Sequence, residues 1–86
     1  MPLAFRSPSI MGSLVSRALG AMYYEGHGVT KDYVHAHMLW NLAAAKGDSD
    51  AAKFRDYVAG GMTQGQIAEA QKLARECEQR NYKNCD

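Results

Sequence analysis

Apolar residues recur with helical spacing in separate stretches of this chain, and a turn signal ends each stretch. In the first stretch, apolar positions at i, i+3, i+4, i+7 and i+8 predict a helix from Gly12 or Ser13 to Glu25 with one buried face. Its members are Val15, Ala18, Leu19, Met22 and Tyr23. A second helix, from near Thr30 or Asp32 to Gly47, repeats the spacing with Ala36, Leu39, Trp40, Ala43 and Ala44.

The second half of the chain predicts two more helices. Asp48, Ser49 and Asp50 are alternative N-caps of a third helix that ends at Gly60-Gly61, with Ala51, Phe54 and Val58 on one face. Thr63, followed three residues later by Gln66, is a capping box that starts the fourth helix. Its buried stripe is Ile67, Ala70, Leu73, Ala74 and Cys77. No strand is predicted, and the short connections predict that consecutive helices are antiparallel neighbours.

A glycine inside the first helix predicts a close approach between helices. Gly20 costs about 1 kcal/mol relative to alanine in a helix interior, which is tolerable where another helix must come near. The second helix offers small residues at Ala36, Ala43 and Ala44, while Tyr23 and Trp40 are large enough to fill the space beside them.

These positions resemble one complete Sel1-like repeat, a relative of the tetratricopeptide repeat that consists of two antiparallel helices. The matching residues are Leu19, Gly20, Tyr23, Gly26, Gly28, Val29, Asp32, Ala36, Leu39, Trp40, Ala43, Ala44 and Gly47. The third and fourth helices resemble the segment that closes bacterial Sel1-like arrays, on the matches Ala52–Asp56, Met62-Thr63, Gln66-Ile67-Ala68 and Ala70-Gln71-x-Leu73-Ala74.

The resemblance implies an all-α fold, a right-handed stack of four antiparallel helices over residues 12–80. One intact repeat would cover residues 15–50 and a degenerate capping pair residues 51–80, between an irregular tail at 1–11 and a C-terminal tail at 81–86. Stacked repeats usually need about three units for a continuous core. The N-terminal face is therefore open, or pairs with a second copy, or continues into a longer array.

Composition and charge exclude several classes of partner. Ten Lys and Arg balance nine Asp and Glu, which leaves no basic surface for nucleic acid or an anionic membrane. No apolar run reaches the roughly 20 residues of a membrane span. The first residues lack the apolar core of about 7–15 residues that a secretory signal has, so on this ground we expect a cytoplasmic protein.

The polar residues form no constellation typical of catalysis or metal binding. On a helix, His35 and His37 point about 200° apart and cannot share a metal ion, for which i, i+4 spacing is typical. We interpret both, together with His27, as solvated surface residues. Gly26-x-Gly28 is too short for a phosphate-binding loop and is interpreted as a helix stop. We therefore expect no enzymatic activity, no metal and no cofactor.

Cys77 and Cys85 leave two alternatives open. They are either a disulfide across the end of the fourth helix or two free thiols, with Cys77 as a small core residue. Asn81 or Asn84 could adopt the left-handed conformation that folds the tail back. The Cys-x7-Cys spacing resembles that of secreted cysteine-rich Sel1-like proteins, which implies a periplasmic or secreted location if the pair is oxidised.

The resemblance implies contact with a protein or peptide partner through the concave face. The matching positions of the first helix are Leu14, Arg17, Ala21, Tyr24 and Glu25. Tyrosine and arginine dominate the binding energy of many interfaces. As an alternative, Leu14 and Met11 belong to an exposed apolar edge that a second copy covers in a homodimer. Two other interpretations remain: a secreted protein that binds β-lactam or peptidoglycan fragments, and a truncated piece of a longer repeat array.

Overall fold

The computed structural model describes residues 13–85, and these form four helices. They are α1 (Ser13–Glu25), α2 (Tyr33–Ala45), α3 (Ser49–Ala59) and α4 (Gln64–Gln79). Within residues 13–85 there is no strand, so the predicted all-α class is confirmed. The expectations for Gly12, Met11 and the irregular tail at 1–11 lie outside the described residues.

The predicted capping residues set the helix boundaries. The side chain of Asp32 accepts a hydrogen bond from the His35 amide and begins α2. Asp48, one of the three alternatives for α3, caps that helix by accepting from the Ala51 amide at 3.0 Å. At α4 both bonds of the predicted capping box are present. The helix ends are also as predicted: Gly47 has a φ of 98° just beyond α2, a left-handed conformation that glycine adopts without strain.

Helix α2 lies at the centre, and the other three helices pack on it. The expected antiparallel pairing holds for α1, because Tyr23 near its end stacks on His35 near the start of α2. It holds for α3, whose Phe54 contacts Trp40 and whose Val58 lies in the same cluster as Ala36.

The fourth helix departs from the predicted arrangement. It packs mainly on α2 rather than on α3. Gln66 at its start lies by Val34 at the start of α2, and Tyr82 beyond its end lies by Lys46, so α4 runs parallel to α2. The physical reason is that α2 is apolar around most of its circumference, so α3 and α4 both bury their apolar faces on it.

Two apolar clusters flank α2. One joins Met38, Leu39 and Leu42 to α4 and the tail through Ala74, Cys77 and Cys85. The other joins Ala36, Trp40 and Ala43 to α3 through Ala51 and Val58. The predicted core positions of α2 and α4 that belong to these clusters are confirmed as buried: Ala36, Leu39, Trp40, Ala43, Ala74 and Cys77.

The buried face of α1 agrees only in part with its apolar spacing, since Leu19 and Tyr23 of the predicted stripe pack against the core. Three members of the predicted stripe are exposed: Val15, Ala18 and Met22. The face toward α2 also contains Ser16 and Gly20, which are buried and do not belong to the predicted stripe. The reason is the close approach at Gly20, where an added Cβ would lie 2.6 Å from the Trp40 Nε1 atom. Small residues therefore line the closest part of the contact, and three of the five stripe residues are turned outward.

Candidate functional site

Aromatic side chains line an open groove between α1 and α3. The groove has a volume of about 520 Å³. We call it the aromatic groove and define it by its lining residues: Ala21, Tyr24, Glu25, Trp40, Lys53, Phe54 and Tyr57. Tyr57 is 73% exposed and Phe54 is 43% exposed, so two large aromatic side chains present much of their surface to solvent.

Trp40 forms the floor of the aromatic groove and is held in place. Its side chain is buried at 4% exposure, and its Nε1–H donates to the Arg17 carbonyl oxygen at 3.0 Å. The ring centroids of Tyr24 and Phe54 lie 5.7 Å and 5.4 Å from that of Trp40. Because the indole N–H is satisfied by the backbone of α1, the floor offers mainly apolar ring surface to a ligand.

Tyr24 and Tyr57 face each other across the groove. Their ring centroids are 6.4 Å apart and their planes are inclined by 65°. A side-chain hydrogen bond with Tyr57, followed by desolvation, raises the pKa of Tyr24 above its usual value. The Tyr24 hydroxyl therefore stays protonated at neutral pH and contributes to the polar edge of the groove.

Opposite charges lie in the groove lining and beside it. Glu25 comes from α1 and Lys53 from α3, so each helix contributes one charged side chain to the lining. Arg17 instead bridges to Asp48 at 3.4 Å and to Asp50 at 3.2 Å. This arginine links α1 to the beginning of α3 and does not line the groove.

The structure brings together only part of the predicted partner-binding set. Ala21, Tyr24 and Glu25 line the aromatic groove. Arg17 is engaged by the α3 carboxylates, and Leu14 is 66% exposed without lining the groove.

Helix α3 contributes groove residues that the sequence analysis missed. The sequence analysis placed Phe54 on one face of the helix with Ala51 and Val58; those two are buried, but Phe54 is 43% exposed. Ala51 and Val58 fill the contact with α2, and the larger Phe54 ring sits at its edge, against Trp40. An aromatic pair three residues apart, Phe54 and Tyr57, was the available signal, since such residues share one helix face.

A second pocket adjoins the aromatic groove and has a volume of about 480 Å³. We call it the tyrosine pocket and define it by its lining residues: Tyr24, Tyr33, Tyr57, Val58, Gly60 and Gly61. Tyr24 and Tyr57 line both sites, so the two pockets adjoin at these rings. Gly60 is the C-cap of α3, which places the carbonyl end of that helix at the pocket.

Two of the histidines are not the solvated residues that we expected. His27 is exposed as predicted, but His37 is buried at 3% exposure and His35 stacks on Tyr23 with centroids 4.5 Å apart. Both lie on α2, whose circumference is covered by three other helices, and this coverage is the reason that the prediction is wrong. Burial, followed by the nearby charge of Arg55, lowers the pKa of His37.

The lowered pKa of His37 predicts that the protein loses stability in mild acid. The usual pKa of histidine is 6.5, and the unfolded chain takes up the proton near that value while the folded chain resists it. The contribution is fully present above pH 6.5 and falls as the pH drops below it, by at most about 1.4 kcal/mol per pH unit. Denaturant unfolding between pH 8 and pH 5 measures this slope.

A matched pair of variants isolates the contribution of His37. His37→Leu removes the titrating group, so its free energy of unfolding should fall less steeply with decreasing pH than that of the unmodified chain. His27→Gln, a change at an exposed histidine, is the control for the substitution. Equal slopes for the unmodified chain and His37→Leu would show that His37 does not carry the effect.

The described residues 13–85 contain no group of three His, Cys, Asp or Glu side chains placed to hold a metal ion. Cys77 and Cys85 form a disulfide, with Cα atoms 5.4 Å apart. None of the helices found in the described part of the chain is long and apolar enough to cross a membrane.

Comparison with protein-family models, curated proteins and solved structures finds no match to this chain.

Proposed function

We propose that this chain is a non-enzymatic protein-interaction module of the Sel1-like repeat type, which binds a short segment of a partner protein in the aromatic groove. The observation that carries the proposal is the exposure of Phe54 and Tyr57 beside the buried ring of Trp40. Aromatic residues that surround a fixed, apolar floor are typical of binding hot spots.

The repeat-type architecture is supported by the arrangement of α1, α2 and α4. In a stack of helix pairs, the two helices of one pair are antiparallel and equivalent helices of successive pairs are parallel. Here α1 is antiparallel to α2, and α4 runs parallel to α2. The close contact of Gly20 with Trp40 involves two of the positions that carry the resemblance.

The chemistry of the aromatic groove defines the partner segment. Its apolar floor fits a large aliphatic or aromatic side chain, which would anchor the segment by removing apolar surface from water. Glu25 on one helix and Lys53 on the other favour charges of opposite sign at the two sides of that anchor. We therefore expect a segment with one apolar anchor between a basic and an acidic residue.

Selection from a displayed library of random peptides tests this function. Selection uses the full 86-residue chain, and the affinity of each enriched peptide is then measured for two variants. Phe54→Ser with Tyr57→Ser removes the exposed rings of the groove. Leu14→Ser is the matched control, because it changes an exposed apolar residue that does not line the groove.

Enriched peptides should carry an apolar anchor and bind the groove variant at least about tenfold more weakly, since a hot-spot residue contributes 2 kcal/mol or more. The Leu14→Ser control should bind them as the unmodified chain does. The proposed function is wrong if circular dichroism shows that the groove variant is folded and the variant still binds the peptides with unchanged affinity. It is also wrong if no peptide is enriched.

A second candidate function is supported by the disulfide. The Cys77–Cys85 bond favours an oxidising compartment, as in the secreted Sel1-like proteins that the cysteine spacing resembles. We propose as the alternative that the chain binds β-lactam or peptidoglycan fragments. Calorimetric titration with benzylpenicillin and with a muramyl peptide separates the two candidates. Saturable binding of either compound supports the alternative, and the absence of binding with both compounds removes it.

A further inference from the structure

We infer that the tyrosine pocket binds the cationic head of a basic side chain, an arginine or lysine of the partner segment. This inference rests on the proposed function, because the pocket shares Tyr24 and Tyr57 with the aromatic groove. It adds a second element of recognition: a positive charge close to the apolar anchor.

The first argument is the aromatic character of the walls. Tyr24 and Tyr33 are nearly parallel, with centroids 5.4 Å apart and planes inclined by 18°. Tyr57 stands at 65° to Tyr24, so the pocket has ring surfaces in two orientations. The faces of such rings carry partial negative charge and attract ammonium and guanidinium groups within about 6 Å. Lys31, which does not line this pocket, already places its Nζ 5.8 Å from the Tyr33 centroid.

The second argument is the end of α3. The carbonyl end of a helix carries partial negative charge, which favours a cation. Gly60 and Gly61 line the pocket at this end, and without side chains they let a ligand approach the backbone closely. The last turn of this fully described helix contains no basic residue that would neutralise it.

The third argument is the composition of the lining. The six residues that define the pocket include no lysine, arginine, aspartate or glutamate. A negative potential from the rings and from the helix end is therefore not compensated by a charged side chain of the lining itself. Because the pocket adjoins the aromatic groove at Tyr24 and Tyr57, one peptide can place its anchor in the groove and a basic residue here.

An NMR titration with small probes tests the inference independently of any peptide. The full chain is titrated with N-acetyl-arginine amide and with N-acetyl-citrulline amide, which has nearly the same shape but no charge. The arginine probe should shift the ring protons of Tyr24, Tyr33 and Tyr57 and the amides of Gly60 and Gly61. We expect the citrulline probe to bind about tenfold more weakly, because it loses the cation–π and helix-end attractions.

Two variants of Tyr33 locate the site, since this ring lines the tyrosine pocket but not the aromatic groove. Tyr33→Phe keeps the ring face and should retain the affinity for the arginine probe within about threefold. Tyr33→Leu keeps an apolar side chain but no ring, and should weaken binding about tenfold. Phe54→Ser alters only the aromatic groove and should leave the arginine probe unaffected.

Three results would overturn the inference: no shifts with the arginine probe, equal affinity for citrulline, or full binding by a folded Tyr33→Leu variant. These results are distinct from failure of the proposed function. Peptides that bind through Phe54 while the arginine probe does not bind would leave the groove as a binding site and remove the cationic pocket. Binding of the arginine probe without any groove-binding peptide would remove the groove function alone.

Discussion

Replacing Gly20 with leucine should lower the free energy of unfolding by about 1–3 kcal/mol through overpacking. A Cβ at this position would lie 2.6 Å from Nε1 and 2.7 Å from Cδ1 of Trp40, distances that non-bonded atoms do not tolerate. The indole cannot move aside freely, because it is buried and its N–H is bound to the Arg17 carbonyl. Helix α1 must therefore shift, or Trp40 must leave its site.

Gly20→Ala and Gly65→Ala give a matched comparison. In a helix interior, alanine is favoured over glycine by about 1 kcal/mol, so propensity alone would stabilise the first variant. At Gly20 the Cβ clash should outweigh this gain and make the variant less stable than the unmodified chain. Gly65 lies in α4 with its nearest neighbouring atom, Thr63 Oγ1, 3.9 Å from an added Cβ, so Gly65→Ala should be neutral or stabilising.

Guanidinium unfolding followed by circular dichroism measures all three variants. If Gly20→Leu and Gly20→Ala are as stable as the unmodified chain, α1 and α2 do not meet at Gly20 in solution. The tryptophan fluorescence of the folded variants gives a second readout. A displaced Trp40 should emit at longer wavelength as it becomes solvated, and the floor of the aromatic groove should be lost with it.

The close approach at Gly20 could be predicted from the sequence. Glycine in a helix interior lowers the stability of the helix, so its presence there indicates that a neighbouring helix must come close. The buried face of α1 could be predicted only in part from apolar periodicity, because the contact uses Ser16 and Gly20 beside Leu19 and Tyr23. Periodicity measures where apolar residues repeat along a helix. It contains no information on how near the neighbouring helix comes, and here nearness decides which face is buried.

The aromatic groove is a second example of a feature that apolar periodicity predicts only in part. The α1 contribution, Ala21, Tyr24 and Glu25, could be named from the sequence by resemblance. The place of Phe54 in the groove could not be predicted from the sequence, because a phenylalanine on an apolar helix stripe is normally a core residue. The smaller Ala51 and Val58 complete the contact with α2 and leave the Phe54 ring at its edge. That outcome depends on the volumes of three side chains in one interface and not on their spacing.

The caps were the most predictable features, since they depend on a few adjacent residues. Thr63 with Gln66 begins α4 as expected, and Asp32 begins α2. The conformation of the tail after α4 could also be predicted in part. Asn81 and Asn84, the two alternatives for the left-handed residue, both adopt this conformation, with φ angles of 57° and 58°. Tyr82, with a φ of 64°, adopts the same conformation, which no local signal indicated.

Removal of the Cys77–Cys85 disulfide should destabilise the protein by about 2–3 kcal/mol, as expected for a bond that closes a short loop. The tail that it holds belongs to the core, because Cys85 is 7% exposed and packs with Met38 and Leu42. Tyr82 also lies there, with Lys46 Nζ 4.1 Å from its ring centroid. A non-glycine residue in the left-handed region, such as Tyr82, costs roughly 1–2 kcal/mol. The covalent link offsets this cost by keeping the chain folded back.

Two measurements of the free energy of unfolding test the contribution of the disulfide. In the first, the unmodified chain is unfolded with and without reductant, and it should lose about 2–3 kcal/mol when reduced. In the second, Cys77→Ala with Cys85→Ala should be destabilised by at least as much and should no longer respond to reductant. Alanine is chosen because Cys77 is fully buried and serine would place a polar hydroxyl in an apolar cluster. Equal stability of the oxidised and reduced chains would show that tail packing alone holds residues 80–85 on α2, and that the disulfide adds nothing to it.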